Sequence, residues 1–154
     1  MTRTPEQREI LNMARQIKQA EKKERARSKP AFNAPHRQPR QRDNGHLAFI
    51  RRLPCIVSWV EDGRLVSPVD ACHVRYGDPA RGKRPTGMAE KPDDKWTLPM
   101  TRANHERQHS MSERAFYEAL NIDPIELSER LYSISGDERA ALDIIISLTG
   151  REAA

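Results

Sequence analysis

The first 45 residues of this 154-residue chain carry most of its positive charge. They hold 12 Lys and Arg against 5 Asp and Glu, whereas residues 46–154 hold 15 against 17. A segment with so much charge and so few apolar side chains does not bury enough surface to form a core. The sequence therefore confines the folded part to residues 45–154, which suffice for one modest domain.

Residues 1–44 are predicted to form a basic arm. Thr4 as N-cap and Pro5 at the first helical position begin a run of good helix formers that ends near residue 27. Its apolar stripe is thin, so we expect a solvated helix. Residues 28–45 contain three prolines among arginines and are predicted to be an extended linker. Such an arm is typical of proteins that neutralise phosphates, although a merely solubilising tail is the alternative.

Several classes of protein are not expected from this sequence. No apolar run approaches the roughly 20 residues that a membrane span needs, and the N-terminus is charged from Arg3 onward. We therefore expect no membrane partner and a cytoplasmic location. Cys55 and Cys72 are not expected to pair in that compartment, so each is interpreted as free or metal-bound.

The pattern after residue 45 predicts an α+β fold. A short helix or turn is expected at residues 46–53, then strands near Cys55–Val60, Leu65–Val66, Val69–Val74 and Trp96–Met100, and a helix over 102–109. Three helices follow, each with a capping residue and a glutamate three positions on. They are expected at 111–120, 124–133 and 136–149, with Ser110, Asp123 and Ser135 as caps.

Three of the five histidines lie in two short clusters. His105 and His109 are four residues apart, so on a helix both imidazoles share one face and can share one divalent ion. His73 follows Cys72 about thirty residues earlier, on or just after a predicted strand. These elements predict a strand–strand–helix arrangement around a metal. Taken alone, an HxxxH pair also occurs by chance on solvated helices.

These segments resemble the HNH, or ββα-metal, nucleases. The resemblance rests on residues 71–75 (ACHVR), on residues 82–84 (GKR) and on the run from 97 to 109 that ends in NHERQH. The resemblance covers roughly residues 45–120. More closely, the chain is similar to a phage and prophage subgroup that includes the recombination-enhancing, RecA-dependent nuclease. The resemblance implies a small ββα-metal module, over which the helices predicted at 111–149 would form a cover. That subgroup also often has a basic, loosely ordered N-terminal region, which residues 1–44 match in character only.

The resemblance also implies roles for individual residues. His73 matches the general base, which the family carries at the end of the first strand. His105 and His109 match the metal-binding histidines of the helix, and Cys72 lies where many members have another ligand. Cys72 is equally well interpreted as a small core residue, in which case water or an acidic side chain completes the site.

Two parts of the family pattern differ here. The asparagine that stiffens the loop has no certain equivalent, and Asp93 or Asp94 is the nearest candidate. Many members also hold a structural zinc with four Cys or His ligands, and only one of the matching residues binds zinc well. The matching residues are Cys55, Ser58, Thr101 and Asn104. We therefore expect no structural zinc.

The chemistry that this pattern predicts is phosphodiester hydrolysis. A neutral histidine can take the proton of a water, and a cation stabilises the crowded phosphate. Two imidazoles and a third donor leave positions open for phosphate oxygens. We expect one divalent ion, with Mg²⁺ or Mn²⁺ for turnover and Zn²⁺ or Ni²⁺ also able to bind. Arg75, Lys83 and Arg84 in the long loop at 75–91 are expected to contact phosphates.

The sequence thus favours a metal-dependent DNA endonuclease or nickase of phage DNA recombination or processing, near the nucleoid of a bacterial host. Its expected partner is DNA, with a RecA-type recombinase filament as a further candidate. One alternative is a non-catalytic nucleic-acid-binding accessory protein on a decayed HNH scaffold. Another is a host-interaction protein with a purely structural metal.

Overall fold

The computed structural model describes residues 5–27, 39–87 and 90–149. The chain divides into two compact units at residue 38. In the first unit, α1 spans Pro5–Arg27, in agreement with the predicted helix. Met13 and Ile17 of its thin apolar stripe are exposed. The predicted cap at Thr4 and the linker at 28–38 lie outside the described residues.

The second unit begins at Pro39, before the boundary expected at residue 45. Its first helix, α2, spans Asn44–Ile50 with Asp43 as the N-cap, in agreement with the predicted short helix. The next element, α3, spans Ile56–Asp62 and is a helix where the sequence predicted a strand. A short apolar run is compatible with either a buried strand or a buried helix. Here the run packs against the rest of the domain as a helix. Gly63, with φ 68°, ends this helix in the left-handed region.

Two short strands form the sheet of the described residues. Strand β1 (Asp70–His73) pairs antiparallel with β2 (Thr97–Met100), with Asp70 opposite Met100 and His73 opposite Thr97. Helix α4 (Arg102–His109) follows β2 directly, behind the N-cap Thr101. The positions predicted for β1, β2 and α4 thus form two strands and a helix, whereas Leu65–Val66 forms no strand. The fold is of the α+β class.

Three helices complete the domain: α5 (Glu113–Ala119), α6 (Pro124–Ser133) and α7 (Glu138–Ser147). The predicted cap Asp123 is confirmed, since its carboxylate accepts from the N–H groups of Ile125 and Glu126. The other two predicted caps are wrong by two residues, because Ser112 and Asp137 occupy those positions.

The core of the second unit is built from the sheet and the helices around it. Trp59 and Trp96 are buried, and so is every residue of β2. Apolar side chains of α2, α3, α6 and α7 pack into the same cluster. Among the described residues no helix is long and apolar enough to cross a membrane.

Candidate functional site

Helix α4 places the imidazoles of His105 and His109 against each other. Their Nε2 atoms are 3.0 Å apart and their ring centroids 4.6 Å apart. Two nitrogens bound to one tetrahedral zinc at 2.0–2.1 Å lie about 3.3 Å from each other. Burial lowers the pKa of His109, and the nearby charges of His105 and Arg75 lower it further. The pair therefore offers two Nε2 atoms at a spacing close to that of two ligands of one ion.

Asp70 lies behind this pair, at the start of β1. Its Oδ2 is 3.5 Å from Nδ1 of His105 and 3.2 Å from the guanidinium of Arg102. A carboxylate on the far nitrogen of a histidine orients the ring and raises its basicity as a ligand. The sequence allows an acidic side chain as a substitute for Cys72, but no local pattern in it points to Asp70.

Cys72 belongs to the core instead of the histidine pair. Its side chain is buried, and its thiol contacts the backbone oxygen of Asp70 at 3.7 Å. Burial, and then the charge of Asp70, raise the pKa of Cys72 to about 12. Because Cys72 is packed within the core cluster, the structure favours the packing interpretation of Cys72 over the metal-binding one.

His73 makes its contacts with Asp94 and Arg40. Its Nε2 is 2.8 Å from Oδ1 of Asp94, and the guanidinium of Arg40 pairs with the same oxygen. Burial lowers the pKa of His73, and the charges of Arg40 and Lys91 lower it further, against the opposing effect of Asp94. Burial raises the pKa of Asp94, but hydrogen bonds from the Asp43 N–H, His73 and Arg40 bring it below its ordinary value.

The three predicted histidines therefore lie in two groups. Successive side chains of a strand point to opposite faces, so Asp70 and His73 leave β1 on opposite sides. Asp70 faces the pair on α4, and His73 faces Asp94. Within the described ranges, no three His, Cys, Asp or Glu side chains are grouped as ligands of one ion. The structure brings His105 and His109 together but gives His73 different partners.

The three predicted phosphate contacts have different surroundings. Arg75 is exposed, and its charge acts on His109. Arg84 is paired with Glu90 at 2.9 Å. Lys83 is only 1% exposed, with Nζ 5.8 Å above the ring of Trp96. Burial lowers the pKa of Lys83 to about 8. Lys83 is thus buried in the domain, a position that does not favour its predicted contact with phosphate.

Glu113 is a site residue that the sequence analysis interpreted only as a capping partner. Its carboxylate accepts hydrogen bonds from the backbone N–H groups of Arg75 and Tyr76 at 3.0–3.1 Å, and from the side chain of Gln108 at 2.8 Å. It therefore ties the loop that follows β1 to α4. Arg75 is held beside His109 as a result.

The four positions that match the family's structural zinc ligands meet in space. The buried Sγ of Cys55 accepts from the backbone N–H of Thr101 and from the side-chain amide of Asn104, both at 3.4 Å. The same amide donates to Oγ of Ser58 at 3.3 Å. Burial raises the pKa of Cys55, but these hydrogen bonds bring it below its ordinary value. A hydrogen-bond network thus joins the positions.

A cavity of about 480 Å³ lies beside the loop that follows β1. Its lining includes three carboxylates, one guanidinium, two phenols and one amide, together with apolar residues. The charged and aromatic members are Asp78, Glu118, Asp123, Arg114, Tyr76 and Tyr117. An excess of carboxylates repels phosphate, so a phosphate-binding role for this cavity is not favoured.

Comparison with known proteins found no matching family model, no matching curated protein and no matching solved structure.

Proposed function

We propose that this protein is a divalent-metal-dependent endonuclease or nickase that hydrolyses phosphodiester bonds in DNA. The observation that carries the proposal is the His105–His109 pair, with Nε2 atoms 3.0 Å apart, on a helix that directly follows two antiparallel strands. The first of those strands ends at His73. This order of strand, strand and helix supports an HNH-like module.

His73 is the proposed general base. An ionised carboxylate can only accept hydrogen bonds, so the 2.8 Å contact with Oδ1 of Asp94 places the imidazole proton on Nε2 of His73. That assignment leaves Nδ1 of His73 as the basic nitrogen. In the proposed reaction a water gives its proton to Nδ1 as its oxygen attacks phosphorus, and the leaving oxygen takes a proton from solvent.

His105 and His109 are the proposed metal ligands, with Asp70 orienting His105 from behind. A bound divalent ion would supply charge stabilisation for the phosphate in the transition state. Water or phosphate oxygens would complete the coordination, with Mg²⁺ or Mn²⁺ supporting turnover and Zn²⁺ or Ni²⁺ binding more tightly. Exposed Arg75 beside His109 would contact a neighbouring phosphate.

The basic arm is proposed to hold DNA near the domain. Residues 1–38 contain ten Lys and Arg against four Asp and Glu, and each phosphate that they neutralise adds affinity that falls with salt. A role in phage recombination or DNA processing beside a RecA-type filament, in the bacterial cytoplasm, is proposed on the resemblance of the motifs alone.

A second candidate is a non-catalytic nucleic-acid-binding protein. The observation that favours it is the division of the histidines, because His73 leaves β1 on the face opposite to Asp70. Hydrolysis requires both groups to reach one phosphodiester, whereas DNA binding does not.

A cleavage assay on supercoiled plasmid distinguishes the two candidate functions. The nuclease proposal predicts nicked product with Mn²⁺ or Mg²⁺ and its loss by at least about 100-fold in both His73→Ala and His109→Ala. Glu106→Gln, on the exposed part of α4, is the matched control and keeps activity. No cleavage by the wild type, together with DNA binding that persists in EDTA, establishes the second candidate instead.

A further inference from the structure

Residues 40–43, which the sequence analysis placed in the arm and linker, lie along the turn at residues 92–95. Gln41 makes three of the contacts: its N–H donates to Oδ1 of Asp93 at 2.9 Å, its carbonyl accepts from the Asp94 N–H at 3.2 Å, and its side-chain oxygen accepts from the Lys95 N–H at 3.2 Å. The Asp43 N–H donates to Oδ2 of Asp94 at 2.9 Å. The two segments are therefore joined by backbone and side-chain bonds together.

Arg40 adds a connection from this segment to His73. Its Nε donates to the backbone oxygen of Pro92 at 2.7 Å, and its NH2 group pairs with Oδ1 of Asp94 while lying 3.3 Å from Nε2 of His73. The Asp94 side chain is 2% exposed, so water cannot readily replace either donor. Asp94 thus has Oδ2 fixed by the Asp43 N–H and Oδ1 shared between Arg40 and His73.

We propose that Arg40 is a positioning residue for His73, acting through Asp94. By holding the Asp94 carboxylate in place, Arg40 keeps the proton of the neutral imidazole on Nε2 and leaves Nδ1 free. Lysine does not substitute, because a single ammonium cannot place two donors in the fixed fork that reaches both Pro92 and Asp94. As a role in catalysis this rests on the proposed function, but the tautomer of His73 is measurable without any reaction.

The test is a long-range ¹H–¹⁵N spectrum of the histidine rings in the metal-free, full-length protein, with His73 assigned by its loss in His73→Gln. The wild type is expected to show His73 with Nε2 protonated and Nδ1 bare. In Arg40→Gln and Arg40→Lys the single-tautomer pattern is expected to be lost, with both nitrogens moving toward averaged shifts. Arg42→Gln is the matched control, since Arg42 is exposed and its guanidinium makes no bond within the described residues.

Two results overturn the proposal: an Nδ1–H tautomer in the wild type, or an unchanged Nε2–H pattern in Arg40→Gln. Backbone amide spectra show whether each variant is folded. If Arg40→Gln is unfolded, an unchanged Nε2–H pattern in Arg40→Lys overturns the proposal instead. If the wild type cleaves DNA, Arg40→Gln should lower kcat by about tenfold or more and leave KM within about twofold. An absence of cleavage contradicts only the proposed function, because the tautomer is read in metal-free protein.

Discussion

The side-chain amide of Asn104 donates hydrogen bonds both to Sγ of Cys55 and to Oγ of Ser58, at 3.4 and 3.3 Å. Four thiolates around one zinc at about 2.3 Å lie about 3.8 Å from each other, so the positions are close to the spacing of a zinc site. Hydrogen bonds here connect α3 to the start of α4. The donor set, with one sulfur among oxygens and an amide, does not favour zinc.

Replacing three of these residues should create a structural zinc site. We expect Ser58→Cys/Thr101→Cys/Asn104→Cys to bind one zinc per chain and to lose thermal stability when the ion is removed by a chelator. Metal analysis and melting curves with and without EDTA measure both effects. Asn104→Cys alone supplies two thiols and should bind no zinc tightly. One tightly bound zinc in His73→Ala/His105→Ala/His109→Ala would contradict the expected absence of a structural ion.

The histidine pair on α4 should account for the binding of Zn²⁺ or Ni²⁺. We expect His105→Ala or His109→Ala to weaken binding by at least about 100-fold, because one imidazole alone is a weak ligand. Asp70→Asn should weaken it by about 10-fold or more through the loss of the carboxylate behind His105. Titration calorimetry measures each constant, with Glu106→Gln as control. Unchanged affinity in His109→Ala would place the ion elsewhere.

The pH dependence of His73 should reflect its burial. Its lowered pKa means that the imidazole is neutral, and able to accept a proton, at a lower pH than an exposed histidine. We expect its ring protons to titrate below pH 6.5, and Asp94→Asn to move the midpoint lower still, because Asp94 favours the charged form. NMR titration measures this, and any activity should have its acid limb at the same pH. A midpoint above 6.5 would refute the prediction.

The buried charge of Lys83 should lower the free energy of unfolding of the domain at neutral pH. Its pKa is lowered by burial from 10.5 to about 8, so between these values the unfolded chain binds more protons and the free energy of unfolding rises with pH. Below about pH 8 both states are protonated and this dependence disappears. We expect Lys83→Met to raise the free energy of unfolding by about 1–2 kcal/mol at pH 7 and to lose the rise above pH 8.

Urea unfolding at pH 7, 8, 9 and 10 measures both effects of Lys83→Met. Lys91→Met, which changes an exposed lysine in the same half of the domain, is the control and should leave the pH dependence unaltered. A destabilised Lys83→Met variant would indicate that the contact with Trp96 outweighs the burial of the charge.

Two truncations should separate the arm from the folded domain. Removing residues 1–38 is expected to leave the melting temperature of residues 39–154 nearly unchanged and to weaken DNA binding with a flatter salt dependence. Removing residues 1–43 also removes Arg40, Gln41 and Asp43 from the turn at 92–95, and should lower the free energy of unfolding by about 2 kcal/mol or more. Equal stability of the two truncations would contradict the contacts of residues 40–43.

Local sequence signals predicted much of the fold. The capping residue Asp123 followed by Pro124 located the start of α6, and short apolar runs located β1 and β2. These signals work because the residues that determine each element are neighbours in the chain. The run from Cys55 to Val60 was assigned wrongly as a strand, because six apolar-rich residues satisfy a buried helix equally well.

By itself the sequence determined the basic arm, the order of strand, strand and helix, and the placing of His105 beside His109 on one helical face. Each depends on composition or on a spacing of a few residues. Only the tertiary structure decided that Lys83 and Cys72 are core residues, that Asp70 lies behind His105, and that Arg40 meets Asp94 across 54 positions of chain. Burial and pairing of charges depend on which distant segments meet, and no local pattern records that.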